Sequence, residues 1–272
     1  MKKLQGDLRF KKKMMKNPLI SIITVVFNAE KTIKKTIESV INQTYKNIEY
    51  IIIDGNSSDK TTTIIKRYDL KIDCWISEPD KGIYDAMNKG LHLAKGEYVY
   101  FLNADDYLIG NNVLEKVSKI LENKSPGMLY GQIKSLSGLY PQKDITSSVV
   151  AGYKTFPHQA LFMSTDLIKK TGIFNLDYRV VADRDLIYRS IDFKPLIVFS
   201  KIPIAFFSHL GASSQLHLKE NLKVAYTNFG LRPIPYYLFI ENTKDIILRV
   251  LSFFEILDYA KSVKARLQKL IS

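Results

Sequence analysis

The first half of the chain alternates short apolar runs with amphipathic segments, and this alternation limits the fold more than any other feature of the sequence. The run from Leu19 to Val26 is rich in β-branched residues and predicts a buried parallel strand. Further strands are predicted at Ile48 to Ile53, Asp73 to Ile76 and Glu97 to Leu102, with apolar residues at helical spacing between them. This order favours an α/β fold with a parallel sheet and right-handed crossovers.

Polar turns follow three of the predicted strands. They are Phe27-Asn28, Asp54 to Asp59 and Asn103 to Asp106. In open α/β sheets ligands bind outside the carboxyl ends of the strands, so these turns are expected to converge on one crevice. Asn28 is also expected to cap the first helix.

The turn Asn103-Ala104-Asp105-Asp106 places two adjacent carboxylates at the exit of a buried strand. Such carboxylates repel each other unless a cation is present, and hard ions such as Mg2+ or Mn2+ prefer oxygen ligands and bridge to phosphate. The alternative is a plain turn followed by a helix cap, because Asp and Asn favour both. The expected convergence with two other polar turns favours a metal-diphosphate site with Asp105 and Asp106 as ligands.

The second half of the chain has a less regular pattern. Strands are predicted at Met128 to Ile133, Ala160 to Ser164, Pro195 to Ser200 and Pro203 to Ser208. Thr165 is expected to cap a helix from Asp166 to Thr171, and a second helix is predicted over Asp183 to Asp192. From Asn221 onward the pattern is helical, and an apolar stripe between Ile246 and Leu257 suits either packing on its own domain or an interfacial helix.

The composition of the chain indicates its size class and the cellular compartment that it suits. The 272 residues are enough for one large α/β domain with or without an appendage, and a hydrophobic content of 46% excludes global disorder. The single cysteine, Cys74, excludes an internal disulfide and fits a reducing compartment. No segment reaches the roughly 18 to 20 apolar residues that span a bilayer, and Leu19 to Phe27 is interpreted as a strand rather than a signal peptide. We therefore expect a cytoplasmic protein.

The net charge of +13 comes largely from basic residues at both ends of the chain. These are Lys2, Lys3, Arg9, Lys11, Lys12, Lys13 and Lys16 at the start, and Lys261, Lys264, Arg266 and Lys269 at the end. Such clusters attract anionic lipid or nucleic acid, and solvated termini are the alternative. No basic motif with interleaved aromatic residues is present, so no nucleic-acid partner is expected. An anionic membrane surface is expected, with the protein peripheral at the inner face of the membrane.

In this order, the polar turns resemble those of family 2 glycosyltransferases with the GT-A fold. Ser21 to Asn28 matches the family's first strand and its closing aromatic-Asn pair. Asp54 to Asp59 resembles its Asp-Asp-Gly-Ser-Thr-Asp turn, with Gly55 in place of the second Asp, and Asn103-Ala104-Asp105 stands in place of its Asp-x-Asp motif. Together these motifs form a strong signal.

Glu78 to Gly90, which reads Glu-Pro-Asp-Lys-Gly-Ile-Tyr-Asp-Ala-Met-Asn-Lys-Gly, closely resembles a subgroup that builds bacterial surface polysaccharides. The resemblance covers about Leu19 to Ser214. It implies a Rossmann-like, mostly parallel central sheet flanked by helices, with a C-terminal helical appendage. The expected division is a basic segment at 1–17, a GT-A domain at 18–215 with nucleotide-binding (18–110) and acceptor (111–215) halves, and a helical, membrane-associated region at 216–272.

The resemblance implies sugar transfer from a nucleotide diphosphate, by default UDP, with inversion at the anomeric carbon and a glycan or lipid-linked acceptor. The residues expected to bind the donor nucleotide are Thr24, Val25, Phe27, Asp54, Lys81, Asn103 and Ala104. The cofactor is expected to be Mn2+ or Mg2+, held by Asp105 and Asp106 with His209 as a third ligand. Asp54 as a turn residue and Lys81 as a surface lysine are the alternatives.

Inversion by direct displacement requires a base for the acceptor hydroxyl. The family places an Asp at the start of a helix in the second half, and Asp183 matches it, with Ala182 where a Glu is common. A helix N-terminus favours the ionised carboxylate, and an N-cap role is the alternative. Asp185 is the reserve base. Residues expected to contact the acceptor or support the site are Asp85, Asn88, His158, Gln159 and Asp185.

Three other functional classes make different demands on the sequence. A dinucleotide oxidoreductase needs Gly-x-Gly-x-x-Gly after its first strand, and Phe27-Asn28-Ala29-Glu30 offers none. A glycosidase also uses two carboxylates, but it does not need acidic residues at several parallel strand ends. A non-catalytic nucleotide-sugar-binding module with this fold stays open, because Gly55 and Ala182 depart from the family pattern.

Overall fold

The computed structural model describes residues 16–208 and 218–230. Within these ranges the strands are β1 (Ile20–Val26), β2 (Ile48–Asp54), β3 (Cys74–Ser77), β4 (Tyr98–Phe101), β5 (Tyr107–Leu108), β6 (Met128–Ser135), β7 (Gly138–Tyr140), β8 (Leu161–Ser164) and β9 (Ile197–Phe206). The helices are α1 (Ile33–Ile41), α2 (Thr61–Lys66), α3 (Ile83–Leu93), α4 (Val113–Lys124), α5 (Thr146–Val150), α6 (Thr165–Thr171), α7 (Ala182–Ile191) and α8 (Leu218–Phe229). Short 3-10 helices cover Asp69–Lys71 and His158–Ala160.

All these strands form one sheet in the order β3-β2-β1-β4-β8-β6-β9-β5, with β7 paired to β6. The first four strands in this order run parallel to one another. Beyond β4 the sheet is mixed, because β8 is antiparallel to both of its neighbours and β6 and β9 are parallel. The predicted α/β architecture with a Rossmann-like sheet is confirmed.

Helices cover both faces of the sheet, so alternate residues of each central strand enter two separate cores. Ile22 and Tyr50 pack with α1 and α4 on one face. Ile23 and Ile51 pack with α3, α6 and α7 on the other face. Because every residue of β1 is buried, its sequence is mostly apolar and does not alternate apolar with polar residues.

Two predicted helix caps were wrong. Asn28 adopts a left-handed φ of 49° and bonds to the turn after β2, and α1 begins only at Ile33. For α6 the cap is Ser164, whose Oγ accepts a hydrogen bond from the Leu167 amide at 3.2 Å. Thr165 instead donates its hydroxyl to the carbonyl of Gly96. In both cases the side chain that the local sequence assigned to a helix end hydrogen-bonds instead to a residue distant in the chain.

Some predictions lie outside the described residues. They concern His209, the basic residues on either side of the described ranges except Lys16, and the apolar stripe from Ile246 to Leu257. The domain division remains a prediction. None of the helices in the described ranges combines the length and the apolarity that crossing a bilayer requires.

Candidate active site

The carboxyl ends of β1, β2, β3 and β4 lie along one edge of the sheet, and hydrogen bonds join the turns that follow β1 and β2. The amide of Ser58 donates to Oδ1 of Asn28 at 2.9 Å, and the amide of Glu30 donates to Oδ2 of Asp59 at 3.0 Å. The loop after β1 is therefore fixed against the turn after β2, as the predicted convergence requires.

The end of β1 opens onto a crevice on its β4 side. Pairing with β2 continues to Val26 and Asp54, whereas pairing with β4 stops at Ile23 and Phe101. The β4-facing edge of Val25 therefore lies beyond the paired ladder, and the adjoining Phe27 ring is 63% exposed. The Thr24 hydroxyl is buried 3.2 Å from that of Tyr50, and its backbone lies inside the paired region of β1 and β2, so the structure places Thr24 within the sheet and not at the crevice.

Asp54 occupies the predicted strand end, but its side chain faces the protein. It is fully buried, and its carboxylate accepts hydrogen bonds from the Ser57 hydroxyl (2.5 Å), the Ser57 amide (3.0 Å) and the Ser77 hydroxyl (2.6 Å). A carboxylate without exposed surface has no contact to offer a nucleobase. The structure therefore corrects this prediction and gives Asp54 the alternative role of a turn residue.

The turn after β4 is held on two sides. From α1, the Thr36 hydroxyl lies 2.9 Å and 2.7 Å from the carbonyl oxygens of Ala104 and Asp106. From the end of β9, the Ser208 hydroxyl donates to Asp105 Oδ2 at 2.7 Å and its amide donates to Asp106 Oδ1 at 3.0 Å. Both carboxylates are thus fixed side by side.

Two acceptor atoms of this turn lack a hydrogen-bond partner. In the described part of the chain three buried side-chain atoms are without one, and two of them are Asn103 Oδ1 and Asp106 Oδ2. Burial, followed by the charge of Asp105, raises the pKa of the Asp106 carboxyl to about 7. Buried, unpaired oxygens next to a second carboxylate favour a bound cation, since a cation supplies the missing partner.

The described residues contain no group of three or more His, Cys, Asp or Glu side chains that could hold a metal alone. Asp105, Asp106 and the amide oxygen of Asn103 therefore form only part of a coordination shell. Mg2+ in proteins commonly takes one or two carboxylates and completes its shell with water and phosphate oxygens. The donor set fits such a shared site. His209 lies outside the described residues.

Asp183, in the first turn of α7, lies between two side chains from other elements. Its Oδ2 is 3.1 Å from His158 Nδ1, and its Oδ1 is 3.1 Å from the Tyr84 hydroxyl. That hydroxyl is also 2.6 Å from the carbonyl oxygen of Val180, so its proton is shared. Burial raises the pKa of the Asp183 carboxyl, but the hydrogen bond and charge of His158 outweigh it, and the net pKa is lowered.

His158 links Asp183 to the turn after β4. Its Nε2 lies 3.4 Å from Nδ2 of Asn103 while its Nδ1 faces Asp183. In the neutral ring Nδ1–H donates to the carboxylate and Nε2 accepts from the amide. Burial lowers the pKa of His158, but Asp183 raises it more, so the net pKa is above its ordinary value. The side chains of His158 and Asp183 are 20% and 19% exposed, so solvent or an acceptor can reach the pair.

Most of the other predicted residues serve as supports. Asn88 is buried and exchanges two hydrogen bonds with the backbone of Phe174, at 2.9 Å and 3.0 Å. Asp85 accepts from the Lys81 amide at 3.0 Å at the start of α3. The Lys81 side chain is exposed. Gln159 is buried, and its backbone carbonyl accepts a hydrogen bond from the Tyr100 hydroxyl at 2.7 Å.

Asp185 does not have the geometry of a base. It forms a 2.8 Å ion pair with Arg189, which also donates to the carbonyl oxygens of Thr171 and Ile173. This buried network ties α7 to the segment after α6. The reserve role predicted for Asp185 is therefore corrected to a structural one.

Three residues of the site were missed from sequence. Tyr84 lies inside the Glu78 to Gly90 motif, which was the available signal for it. Ser208 directly precedes His209, so the sequence drew attention to this strand end but not to the Ser208 hydroxyl. Thr36 carries no signal, because a threonine on a helix is common and its partners are reached only through tertiary packing.

The model of glycosyl transferase family 2 matches residues 21–171. An uncharacterized glycosyltransferase of Mycobacterium tuberculosis is 35% identical over 184 residues, which is 65% of this chain and 70% of that protein. The Escherichia coli protein WfaP, named a UDP-Glc:alpha-D-GlcNAc-diphosphoundecaprenol beta-1,3-glucosyltransferase, is 32% identical over 178 residues, which is 61% of this chain and 67% of that protein.

Solved structures share the fold at lower identity. Staphylococcus aureus TarS 1-349 in complex with UDP-GlcNAc has a TM-score of 0.63 at 17% identity, covering 80% of this chain and 69% of that one. In another TarS structure the chain spans 42% of the protein. The Pyrobaculum calidifontis mannosyltransferase PcManGT, in complex with GDP-Man and Mn2+, has a TM-score of 0.62 at 15% identity, covering 91% and 82%.

The family match, the relatives and the shared fold confirm the resemblance carried by the polar turns. The chain belongs to glycosyl transferase family 2, and the protein is a glycosyltransferase.

Proposed function

We propose that the protein moves a sugar from a nucleoside-diphosphate sugar, a UDP-sugar first among them, to a glycan or lipid-linked acceptor, with inversion at the anomeric carbon. One observation carries the proposal. His158 joins Asp183 to Asn103, so that the expected base and the acidic turn form a single cluster at the sheet edge. A donor diphosphate at the turn and an acceptor hydroxyl at Asp183 would then lie side by side.

Asp183 is the group that takes the acceptor proton. As the acceptor oxygen forms its bond to the anomeric carbon, the bond from that carbon to the diphosphate breaks, and the hydroxyl proton passes to the carboxylate. The lowered pKa keeps Asp183 ionised near neutral pH, and a base must be ionised to act. His158 and Tyr84 hold its two oxygens, which fixes the direction from which the hydroxyl approaches.

Asp105, Asp106 and Asn103 would hold Mn2+ or Mg2+ together with the donor phosphates. When bound, the cation supplies Lewis-acid stabilisation of the departing diphosphate. The unpaired oxygens Asn103 Oδ1 and Asp106 Oδ2 support this assignment, and PcManGT has Mn2+ in its complex. The exposed Phe27 ring and the Val25 backbone edge form the adjoining nucleoside surface.

Nucleotide-dependent thermal stabilisation tests the donor class. We expect UDP with Mn2+ to raise the melting temperature more than GDP or dTDP, because TarS is complexed with UDP-GlcNAc and WfaP is named for UDP-Glc. A ligand at 100 times its Kd adds about 2.7 kcal/mol to the free energy of unfolding. A protein that no nucleotide stabilises, with or without metal, would contradict the proposal.

Membrane binding tests the acceptor class. WfaP is named for a diphosphoundecaprenol-linked acceptor, and the basic residues at both ends of the chain suit an anionic surface. We expect the protein to float with vesicles containing phosphatidylglycerol at low salt and to be released as salt screens the charges. Neutral phosphatidylcholine vesicles are the control. Equal recovery with both lipids would count against a peripheral protein at the cytoplasmic face of the membrane.

A further inference from the structure

Gly55 is the point where the turn after β2 departs from the family pattern, and the structure shows what fills its side-chain space. A Cβ atom built on Gly55 would lie 2.5 Å from Oδ2 of Asp80 and 3.4 Å from Cδ2 of Phe27. Its φ lies outside the left-handed region, so the backbone itself accepts any residue. The carboxylate of Asp80, from the loop after β3, occupies the space of the missing side chain.

The loop that carries Asp80 is anchored on both sides of this residue. The Glu78 amide donates to the carbonyl of Asp54 at 3.0 Å. Lys89 pairs with Glu78 at 2.8 Å and donates to the carbonyl of Pro79 at 2.8 Å. The Gly82 amide donates to Oδ1 of Asp80 at 2.8 Å. These contacts hold the carboxylate against Gly55.

One oxygen of this carboxylate is available to a ligand. Among the described residues, the only hydrogen bond to the Asp80 side chain is the one to Oδ1, and Asp80 is partly exposed. Oδ2 therefore lies beside the exposed Phe27 ring, at the edge where β1 and β2 end. A flat aromatic surface next to a fixed anionic acceptor suits a nucleobase that has a ring N–H, as uracil and guanine both do.

We propose that Asp80 accepts a hydrogen bond from a ring N–H of the donor's base and so replaces the aspartate that similar turns carry at position 55. The inference rests on the proposed function, since it assumes a nucleoside diphosphate in the crevice. It gives Asp80 a specificity-determining role and makes the absence of a side chain at Gly55 a requirement of that role. Asp54 then stabilises the turn and does not contact the base.

A methylated nucleotide isolates this hydrogen bond. The binding of UDP and of N3-methyl-UDP, which lacks the ring N–H, would be measured by calorimetry with Mn2+ present. We expect the wild-type protein to bind UDP about 10- to 100-fold more tightly, as a hydrogen bond to a charged group provides. Asp80→Ala should bind both nucleotides with similar, weaker affinity. If Asp80→Ala weakens the binding of UDP and of N3-methyl-UDP by the same factor, so that UDP is still preferred, the assignment is wrong.

Two further variants separate the hydrogen bond from the charge and the fold of the loop. Gly55→Ala should also lose the preference, because its Cβ displaces the flexible end of Asp80 without altering that residue. Asp166→Asn removes an exposed carboxylate in the first turn of α6, away from this loop, and should keep the preference. Loss of the preference in Asp166→Asn, or full retention in Gly55→Ala, would overturn the inference. A wild-type protein that binds neither UDP nor GDP contradicts the proposed function instead.

Discussion

Replacing Asp183 with asparagine is expected to lower sugar transfer by about 100- to 10,000-fold, the range that a positioned general base contributes. Asparagine has nearly the same shape and can keep its contacts with Tyr84 and His158, but it cannot take the acceptor proton. Binding of UDP should change little, because the proposed donor surface lies at the ends of β1 and β4. Turnover and calorimetric affinity, measured on the same preparation, check this expectation.

Asp192→Asn is the matched control, because Asp192 is exposed and follows the last residue of the same helix α7. It should retain wild-type transfer. If Asp183→Asn remains active, Asp183 is a structural residue that positions His158 and Tyr84, and the base must be sought elsewhere. If both variants lose activity and UDP binding together, a folding defect in α7 explains the loss and the base assignment is unsupported.

Removal of divalent metal is expected to stop transfer, and Mn2+ or Mg2+ added in excess of the chelator should restore it. Without a cation, the adjacent carboxylates of Asp105 and Asp106 repel the donor diphosphate, and a buried oxygen of Asp106 has no partner. Ser208→Ala removes the hydroxyl that orients Asp105 and should raise the metal concentration for half-maximal activity by about 10- to 100-fold.

The measurement is a transfer assay in which metal is titrated into chelator-treated protein. Ser137→Ala, in the turn between β6 and β7, is a matched control that should follow the wild-type curve. Full turnover in EDTA, with the bound metal shown to be absent, would remove the metal-binding role from Asp105 and Asp106 and would leave the acidic turn as a purely structural feature.

The parallel half of the sheet could be predicted from sequence because its strands are buried on both faces. Both β1 and β2 are rich in β-branched residues, and their predicted limits differ from the observed ones by one residue each. The strands β5 and β7 were missed because runs of two and three residues have no detectable period. β9 was interpreted as two strands because Pro203 falls inside it, at a register shift opposite Gln132 where a missing amide is tolerated.

The site residues could likewise be predicted where the signal is local in the sequence, and not where it depends on long-range contacts. The acidic turn and Asp183 were recognisable because each motif is contiguous in the chain. The burial of Asp54 could not be predicted, because Ser77, which donates a hydrogen bond to it, lies 23 residues away in the chain. The role of Gly55 could not be predicted either, because the side chain that fills its place comes from the loop after β3.

The antiparallel pairing of β4 with β8 joins the two halves of the domain into a single cooperative sheet. Tyr100 stacks on Phe162 across this junction with ring centroids 4.4 Å apart, and β5, from the first half, forms the far edge by pairing with β9. A fragment cut at residue 110 would therefore lose partners at two places and leave β4 as an unprotected edge, the kind of surface on which chains aggregate. The segment up to residue 110 is consequently not expected to fold as an independent unit.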